Sequence, residues 1–285
     1  MSLIFNHVNH IYSANTPNEV QALEDINLEI EKGEFICLIG HTGSGKSTLV
    51  QHMNGLLHPS SGQIFFDGQD ISEKGFDMKT FRSKVGLVFQ YPEHQLFESS
   101  VIEDVSFGPK NLGLSKLEIE KRACEALTLV GFPEDLWDSS PFELSGGQKR
   151  CVAIAGVLAM KPEIFVLDEP TAGLDPKTRE DILGLISRLC REQHITVVLV
   201  SHSMEDVAQI ADRILVMHRG RIVMNDTPGR VFERYKELEP LGLSAPQVTY
   251  VLSELKEKGY PVNLQAVTID QAAEEIYAAL SHGMN

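Results

Sequence analysis

One stretch constrains this chain more than any other: Gly40-His41-Thr42-Gly43-Ser44-Gly45-Lys46-Ser47-Thr48. An apolar run, Phe35-Ile36-Cys37-Leu38-Ile39, precedes it and suits a buried parallel strand. Leu49, Val50 and Met53 follow at helical spacing, so the loop is expected to open a helix. A glycine-rich turn in that setting has the G-x-x-x-x-G-K-[ST] form of a phosphate-binding loop. Gly40, Gly43 and Gly45 let the backbone wrap closely, with N–H groups turned inward. The helix N-terminus adds partial positive charge. Lys46 brings a point charge to the outer phosphates, and Ser47 a hydroxyl for Mg²⁺. His41, Thr42, Ser44 and Thr48 complete this set of nucleotide-binding candidates.

Such a unit needs parallel strands beside it, and the chain supplies them. Leu3 to Tyr12 alternates as a half-buried strand, and Ser13 to Glu19 reads as a loop. Alternation resumes over Ala22 to Ile30, and Glu31 to Glu34 turns into the run at Phe35. Gly62 to Asp67 reads as a strand, and Val85 to Gln90 as a buried one that ends on a lone polar residue, Gln90. Helical patterns then dominate, notably Lys116 to Val130, with turns expected at Pro109 to Gly113 and Gly131 to Pro133. This reads as a helical insertion, about residues 91–162, in an α/β core. Ile164 to Glu169 restores the strand pattern, followed by a helix over Pro176 to Glu192, a strand over Ile195 to Val200, and Ser201-His202. Ile214 to Met217 and Arg221 to Met224 form a terminal hairpin. Strands alternating with helices imply a mainly parallel sheet with antiparallel ends. Beyond about residue 233, Pro240, Pro246 and Pro261 punctuate two amphipathic helices, near Pro246 to Lys258 and Ile269 to Leu280. The expected division is a main domain over 1–232 and a helical tail over 233–285. Two short helices bury little alone, so the tail should pack on the main domain or on another subunit.

Asp168-Glu169, at the end of an apolar strand, supplies a second phosphate-chemistry feature. Asp168 can hold Mg²⁺ directly or through water, and Glu169 can polarise a water for attack on a γ-phosphate. Gln90 and His202 also end strands, where each could reach the same metal, phosphate or water. Taken alone, a glutamine there is usually a loop residue and a histidine usually structural. Leu144-Ser145-Gly146-Gly147-Gln148 reads as a turn before a helix over Gln148 to Met160, which makes a second anion-binding helix N-terminus. One chain has little use for two such sites on one triphosphate. Two chains arranged head to tail do, each closing the other's nucleotide.

Composition excludes several classes. Apolar residues make up 42% and charged residues 23%, an ordinary globular balance. No apolar run approaches the roughly 18 residues needed to span a bilayer. No basic region precedes an apolar segment at the N-terminus, so no signal peptide is expected. The net charge of −15 argues against nonspecific nucleic-acid binding, which needs a basic face. Cys37, Cys124, Cys151 and Cys190 are widely spaced, and read as free thiols in a reducing compartment.

Taken in order, these motifs resemble the ATP-binding cassette ATPases. Gly40 to Ser47 is similar to their P-loop, Ile164 to Glu169 to their acidic strand, and Leu144 to Gln148 to their signature motif. Gln90 resembles the Q-loop glutamine, Ala172-Gly173-Leu174-Asp175 the D-loop, and His202 the switch histidine. Tyr12 stands where the family places an aromatic that stacks on adenine; a half-buried strand tyrosine is the alternative.

The resemblance narrows to the energy-coupling factor transporters, which import vitamins and metal ions. It rests on Tyr91 to Phe97, Val105 to Asn111, Pro141 to Leu144 and Leu243 to Val248. Gly40-His41-Thr42-Gly43 and the loop before Ala22-Leu23 favour the second of that family's two paralogous ATPase subunits. The resemblance implies a P-loop cassette with a mainly parallel core sheet, an antiparallel β subdomain, a helical subdomain and a small helical tail. It implies ATP and Mg²⁺ as cofactors, with Ser47, Gln90 and Asp168 at the metal and Glu169, His202 and Gln90 at the reaction. The implied partners are a second, paralogous ATPase subunit in a head-to-tail dimer, a transmembrane coupling subunit and a substrate-binding membrane subunit. No nucleic acid is expected. The chain would sit peripherally on the cytoplasmic face of the membrane.

Gln95, Leu96 and Phe97 become a candidate coupling groove for a short helix of the membrane partner, with Glu93 and Glu98 meeting its basic residues. Leu96 and Phe97 could instead cap the helical subdomain's core. One departure stands out: Cys151 follows Arg150 where the family pattern has a second basic residue. The alternative within the fold is a soluble cassette protein of repair or translation, though neither a coiled-coil insertion nor a second cassette is present. A regulatory ATP-binding module without turnover is the third reading, and an intact Glu169 and His202 speak against it.

Overall fold

Unbroken apolar runs that are buried on both faces build the centre of this molecule. In the computed structural model, which describes residues 2–282, the strands are β1 (Leu3–Tyr12), β2 (Val20–Ile30), β3 (Phe35–Gly40), β4 (Ser61–Phe66), β5 (Gln69–Asp70), β6 (Val85–Val88), β7 (Ile164–Asp168), β8 (Thr196–Val200), β9 (Arg213–His218) and β10 (Arg221–Asp226). The helices are α1 (Lys46–Met53), α2 (Met78–Lys84), α3 (Val101–Leu112), α4 (Lys116–Leu129), α5 (Gly146–Leu158), α6 (Pro176–Gln193), α7 (Met204–Ile210), α8 (Pro228–Glu233), α9 (Tyr235–Leu238), α10 (Gln247–Glu257) and α11 (Ile269–His282).

A six-stranded sheet has the order β10-β9-β3-β8-β7-β6, parallel except for the β9–β10 hairpin. Its register aligns Leu38 with Val200, Asp168 with Val200, and Val88 with Leu167. The loops after β3, β6, β7 and β8 therefore leave from one edge, where ligands of open α/β sheets bind. A four-stranded antiparallel sheet, β2-β1-β4-β5, forms the second layer.

Alternate residues of the central strands feed two cores. Ile36, Leu38, Val166 and Val198 pack with Leu49, Val50 and Met53 of α1 and with Leu3 and Phe5 of the antiparallel sheet. Phe35, Cys37, Phe165 and Leu199 face the other way, into a core that continues through α5, α6 and the helical segment. The tail has a small cluster of its own, Leu252, Val262, Ala266, Ala272 and Ala279. Leu243, Ala245 and Val267 join it to the main core, and the Tyr235 hydroxyl pairs with Ser253 at 2.9 Å. All four cysteines are free; Cys37 and Cys190 are buried, the other two partly so.

Two local expectations are corrected. The chain does not turn at Pro109: α3 carries that proline inside it and ends at Gly113, whose φ of 80° forms a left-handed cap. One lost backbone bond is tolerated because Pro109 is buried and α3 is held by its packing on α4 and α5. Gly146 and Gly147 do not precede their helix; they are its first turn. Ser145 caps it, and Gln148 returns the bond to the Ser145 N–H, which starts α5 two residues early.

Candidate functional site

The shared sheet edge gathers most of the predicted residues. After β3, Gly45 takes φ 103°, and a side chain there would meet the Ala22 carbonyl oxygen at 2.5 Å, so only glycine fits. The loop is braced at Ser44, whose N–H donates to the His41 carbonyl (3.1 Å) and whose carbonyl accepts from Gly220 (2.9 Å). The Ser44 hydroxyl is buried inside the loop with no hydrogen-bond partner. The His41 ring meets His218 of β9 edge-on at 5.1 Å, while Thr42 and Gly43 face solvent.

Lys46 is only 6% exposed, and its Nζ donates back to the carbonyls of Gly40 (2.7 Å) and His41 (3.1 Å). Burial holds the ammonium below the usual lysine range, against the pull of Glu169 and Asp168. Asp168, at the end of β7, is pushed above the carboxylate range by burial, while a hydrogen bond from the Ser47 hydroxyl acts the other way. Thr48 pairs with the Tyr12 hydroxyl at 3.2 Å, which places Tyr12, 38% exposed, at the rim of the loop.

Glu169 is held in place from both sides. Its Oε2 accepts from Gln90 Nε2 at 3.0 Å, and its Oε1 lies 2.6 Å from His202 Nε2. Its backbone sits at φ 51°, a region that costs a non-glycine residue about 1–3 kcal/mol and recurs at functional sites. Three residues that sequence spacing could only set at separate strand ends thus meet around one carboxylate.

Other candidates lie apart. Ser145, Gly147 and Gln148 line a different cleft, about 560 Å³, with Thr178, Asp181 and Arg188. Leu144 is buried in the main core and Gly146 is exposed. Asp175 caps α6, accepting from the Thr178 N–H (3.1 Å) and hydroxyl (2.6 Å). Gln95, Leu96 and Phe97 border a third hollow, about 680 Å³, walled by Leu56, Phe89, Phe107 and Met160. The two readings of that segment divide within it: Leu96 belongs to the core, whereas Phe97 is 57% exposed and meets Phe107 edge-on at 4.9 Å. Glu93 does not face outward with Glu98 as expected, because its carboxylate is bound by Arg150 at 2.8–3.1 Å.

Arg150, read only as a basic residue beside the signature, is among the largest fully buried side chains. Its i, i+4 spacing ahead of Ile154 and Leu158, which puts a charge on the apolar face of α5, was the available signal. Fold, loop and strand ends together define a P-loop ATPase of the cassette type.

Comparison with known proteins agrees and goes further. The family model "ABC transporter" matches residues 23–172. The chain is 56% identical to the energy-coupling factor transporter ATP-binding protein EcfA2 of Clostridium tetani, over 97% of this chain and 96% of that protein. It is 54% identical to the protein of the same name from Clostridium perfringens, over 97% of both. Among solved structures, cbiO1 of Clostridium perfringens, part of the ABC transporter complex cbiONQ, superposes with a TM-score of 0.73. That match has 42% identity and covers 83% of this chain and 92% of that one. The chain belongs to the ABC transporter family and, within it, to the energy-coupling factor transporter ATP-binding proteins. It is an ATP-binding subunit and an ATPase.

Proposed function

We propose that Mg-ATP bound at residues 40–48 is hydrolysed in a head-to-tail dimer to power uptake of a vitamin or metal ion through membrane subunits. The observation that carries this reading is the Glu169 carboxylate, held between Gln90 and His202 beside Lys46. Two features fit the nucleotide. The unpartnered Ser44 hydroxyl and a lysine turned onto carbonyl oxygens both offer donors that phosphate oxygens would satisfy better. Ser47 and Asp168 offer the hard oxygen donors that Mg²⁺ takes, and the Gln90 amide, bonded to the neighbouring Glu169, would offer a third. When bound, the ion would neutralise charge on the outer phosphates.

Lys46 moves from the loop carbonyls to the phosphates. Glu169 accepts the proton of the attacking water as its oxygen bonds the γ-phosphorus and the bond to ADP breaks. His202 and Gln90 orient that carboxylate. Tyr12 offers its ring to adenine from the rim. Ser145 to Gln148 of one chain, with Asp175 of its α6, close the nucleotide of the other chain through the second helix N-terminus. Residues 1–232 act as the cassette, with the helical segment near 91–162 as its insertion. The tail, 233–285, contacts a subunit. Among the described residues no helix is long and apolar enough to cross a membrane, so the membrane steps belong to partners, and the chain docks on them at the cytoplasmic face. Those partners are a paralogous ATPase, a coupling subunit seated at the Phe97 hollow, and a substrate-binding subunit.

Isolating the chain with its companions from its own membrane, then measuring phosphate release, tests this. Lys46→Ala should lose tight Mg-ATP binding, since each charge-assisted phosphate contact is worth about 1.5–3 kcal/mol. Glu169→Gln should keep binding and lose turnover. Undiminished hydrolysis by Glu169→Gln, or isolation without any membrane companion, would sink the reading.

A further inference from the structure

Arg150 lies one turn into α5, behind the helix N-terminus that carries Ser145 to Gln148. It is 2% exposed, yet nearly every donor it has is used. Nε and Nη2 clasp Glu93 at 2.8–3.1 Å, in the short turn Pro92–Gln95 that follows Gln90. Nη1 donates to the carbonyls of Pro170 (2.9 Å) and Ala172 (2.8 Å), in the loop that follows Glu169. Burial raises the Glu93 carboxyl, but the bonds and charge of Arg150 outweigh it and hold that group below the usual range.

We infer that Arg150 is a positioning residue that ties α5 to both segments around the γ-phosphate, so that the state of one chain's nucleotide sets the aim of its signature helix. This inference rests on the nucleotide reading above and adds a residue to it. The geometry has three parts. Gln90 and Glu169 hold one another at 3.0 Å, so a phosphate or metal that engages either one moves the backbone after both. Those two backbones are the ones Arg150 grips. A guanidinium fork binds two partners in one plane, so displacement of either is passed to the helix rather than absorbed by a flexible side chain. Arg150 is thus the structural link from the γ-phosphate end of one site to the surface that completes the other. The device is a contiguous hydrogen-bonded chain rather than mere proximity.

Amide hydrogen exchange in the full chain tests this, at a concentration where light scattering shows a monomer. The probes are Mg²⁺ with ADP and Mg²⁺ with a nonhydrolysable ATP analogue. In the wild type, the analogue should slow exchange at residues 40–48 and, relative to ADP, change it about tenfold at 144–150. Glu93→Gln and Arg150→Lys should keep the effect at 40–48 while that at 144–150 falls below about twofold. Retained protection at 40–48 also certifies that each variant is folded, and Glu93→Gln leaves the arginine with an acceptor should the lysine variant fail. An unchanged response at 144–150 in both variants would reduce the clasp to a structural role. A wild type protected at 40–48 but unmoved at 144–150 would overturn the inference alone. Absence of protection at 40–48 would remove the nucleotide reading, and this inference with it.

Discussion

Beneath the phosphate loop, burial fixes the protonation of a histidine that takes no part in the chemistry. His52 of α1 is fully buried, its Nδ1–H donates to the Thr48 carbonyl at 2.7 Å, and the His10 ring packs edge-on at 4.7 Å. Burial, ahead of the other causes, lowers its pKa to about 4. The folded value lies below that of the unfolded chain, near 6.5, so the unfolded state takes up the proton first as pH falls. The stability His52 contributes is complete above about pH 6.5 and is lost toward pH 4, about 3 kcal/mol in all. Between pH 7.5 and 5.5 the share lost is about 1–1.5 kcal/mol. Urea unfolding at those two pH values should show that much less sensitivity in His52→Gln than in wild type. Equal losses in the two proteins would mean that His52 is not held neutral. Single residues were unevenly legible in the sequence. Lys46, Ser47, Asp168 and Glu169 were read from motif and flanking strand, because phosphate chemistry calls for those residue types at such places, and the structure gathers them at one sheet edge. Arg150 and Glu93 lie 57 positions apart and meet only through tertiary packing, which no local pattern encodes.

At the scale of elements, α5 has two duties at one end. Its first turn is stabilised by the reciprocal Ser145 and Gln148 cap, and under the proposed function the same N-terminus would meet a partner's phosphate. Substitution can separate them. Aspartate caps a helix as well as serine does, so Ser145→Asp should melt within about 2 °C of wild type, whereas Ser145→Ala should lose about 1 kcal/mol. Under the proposed function the added carboxylate would face phosphate, however, so Ser145→Asp should abolish turnover in the assembled complex. Phosphate release at the wild-type rate from that variant would take the helix end out of the nucleotide site. Strongly patterned elements were readable from sequence: α4, α6, β7 and β8 each differ from expectation by one residue. Pro109 misled because packing outweighed a local propensity. Helices such as α2 and α7, seven residues each, are too short to show a period; their caps, Asp77 to Thr80 and Ser203 to Asp206, were the readable mark.

Across the whole molecule, the sequence implied a parallel sheet but not the order β10-β9-β3-β8-β7-β6, because strand order depends on crossovers that leave no local trace. The same limit applied to Tyr91 to Glu98, where apolar residues could be read equally well as core or as contact surface. The structure divides them, and the division can be tested. Leu96 is buried in the main core, so Leu96→Ala should cost the isolated chain about 2–5 kcal/mol. Phe97 is mostly exposed, on the wall of the 680 Å³ hollow, so Phe97→Ala should change stability by less than about 1 kcal/mol and leave ATP binding intact. If a helix of the membrane subunit seats in that hollow, Phe97 is its aromatic anchor. Its loss should then weaken assembly by about 2–4 kcal/mol, roughly 30- to 1,000-fold in affinity. Denaturant unfolding of the two isolated variants, followed by co-isolation of each with the membrane subunits, separates stability from docking. Phe97→Ala that assembles and transports normally would place the docking surface elsewhere. Unfolding of that variant would return Phe97 to the core, beside Leu96.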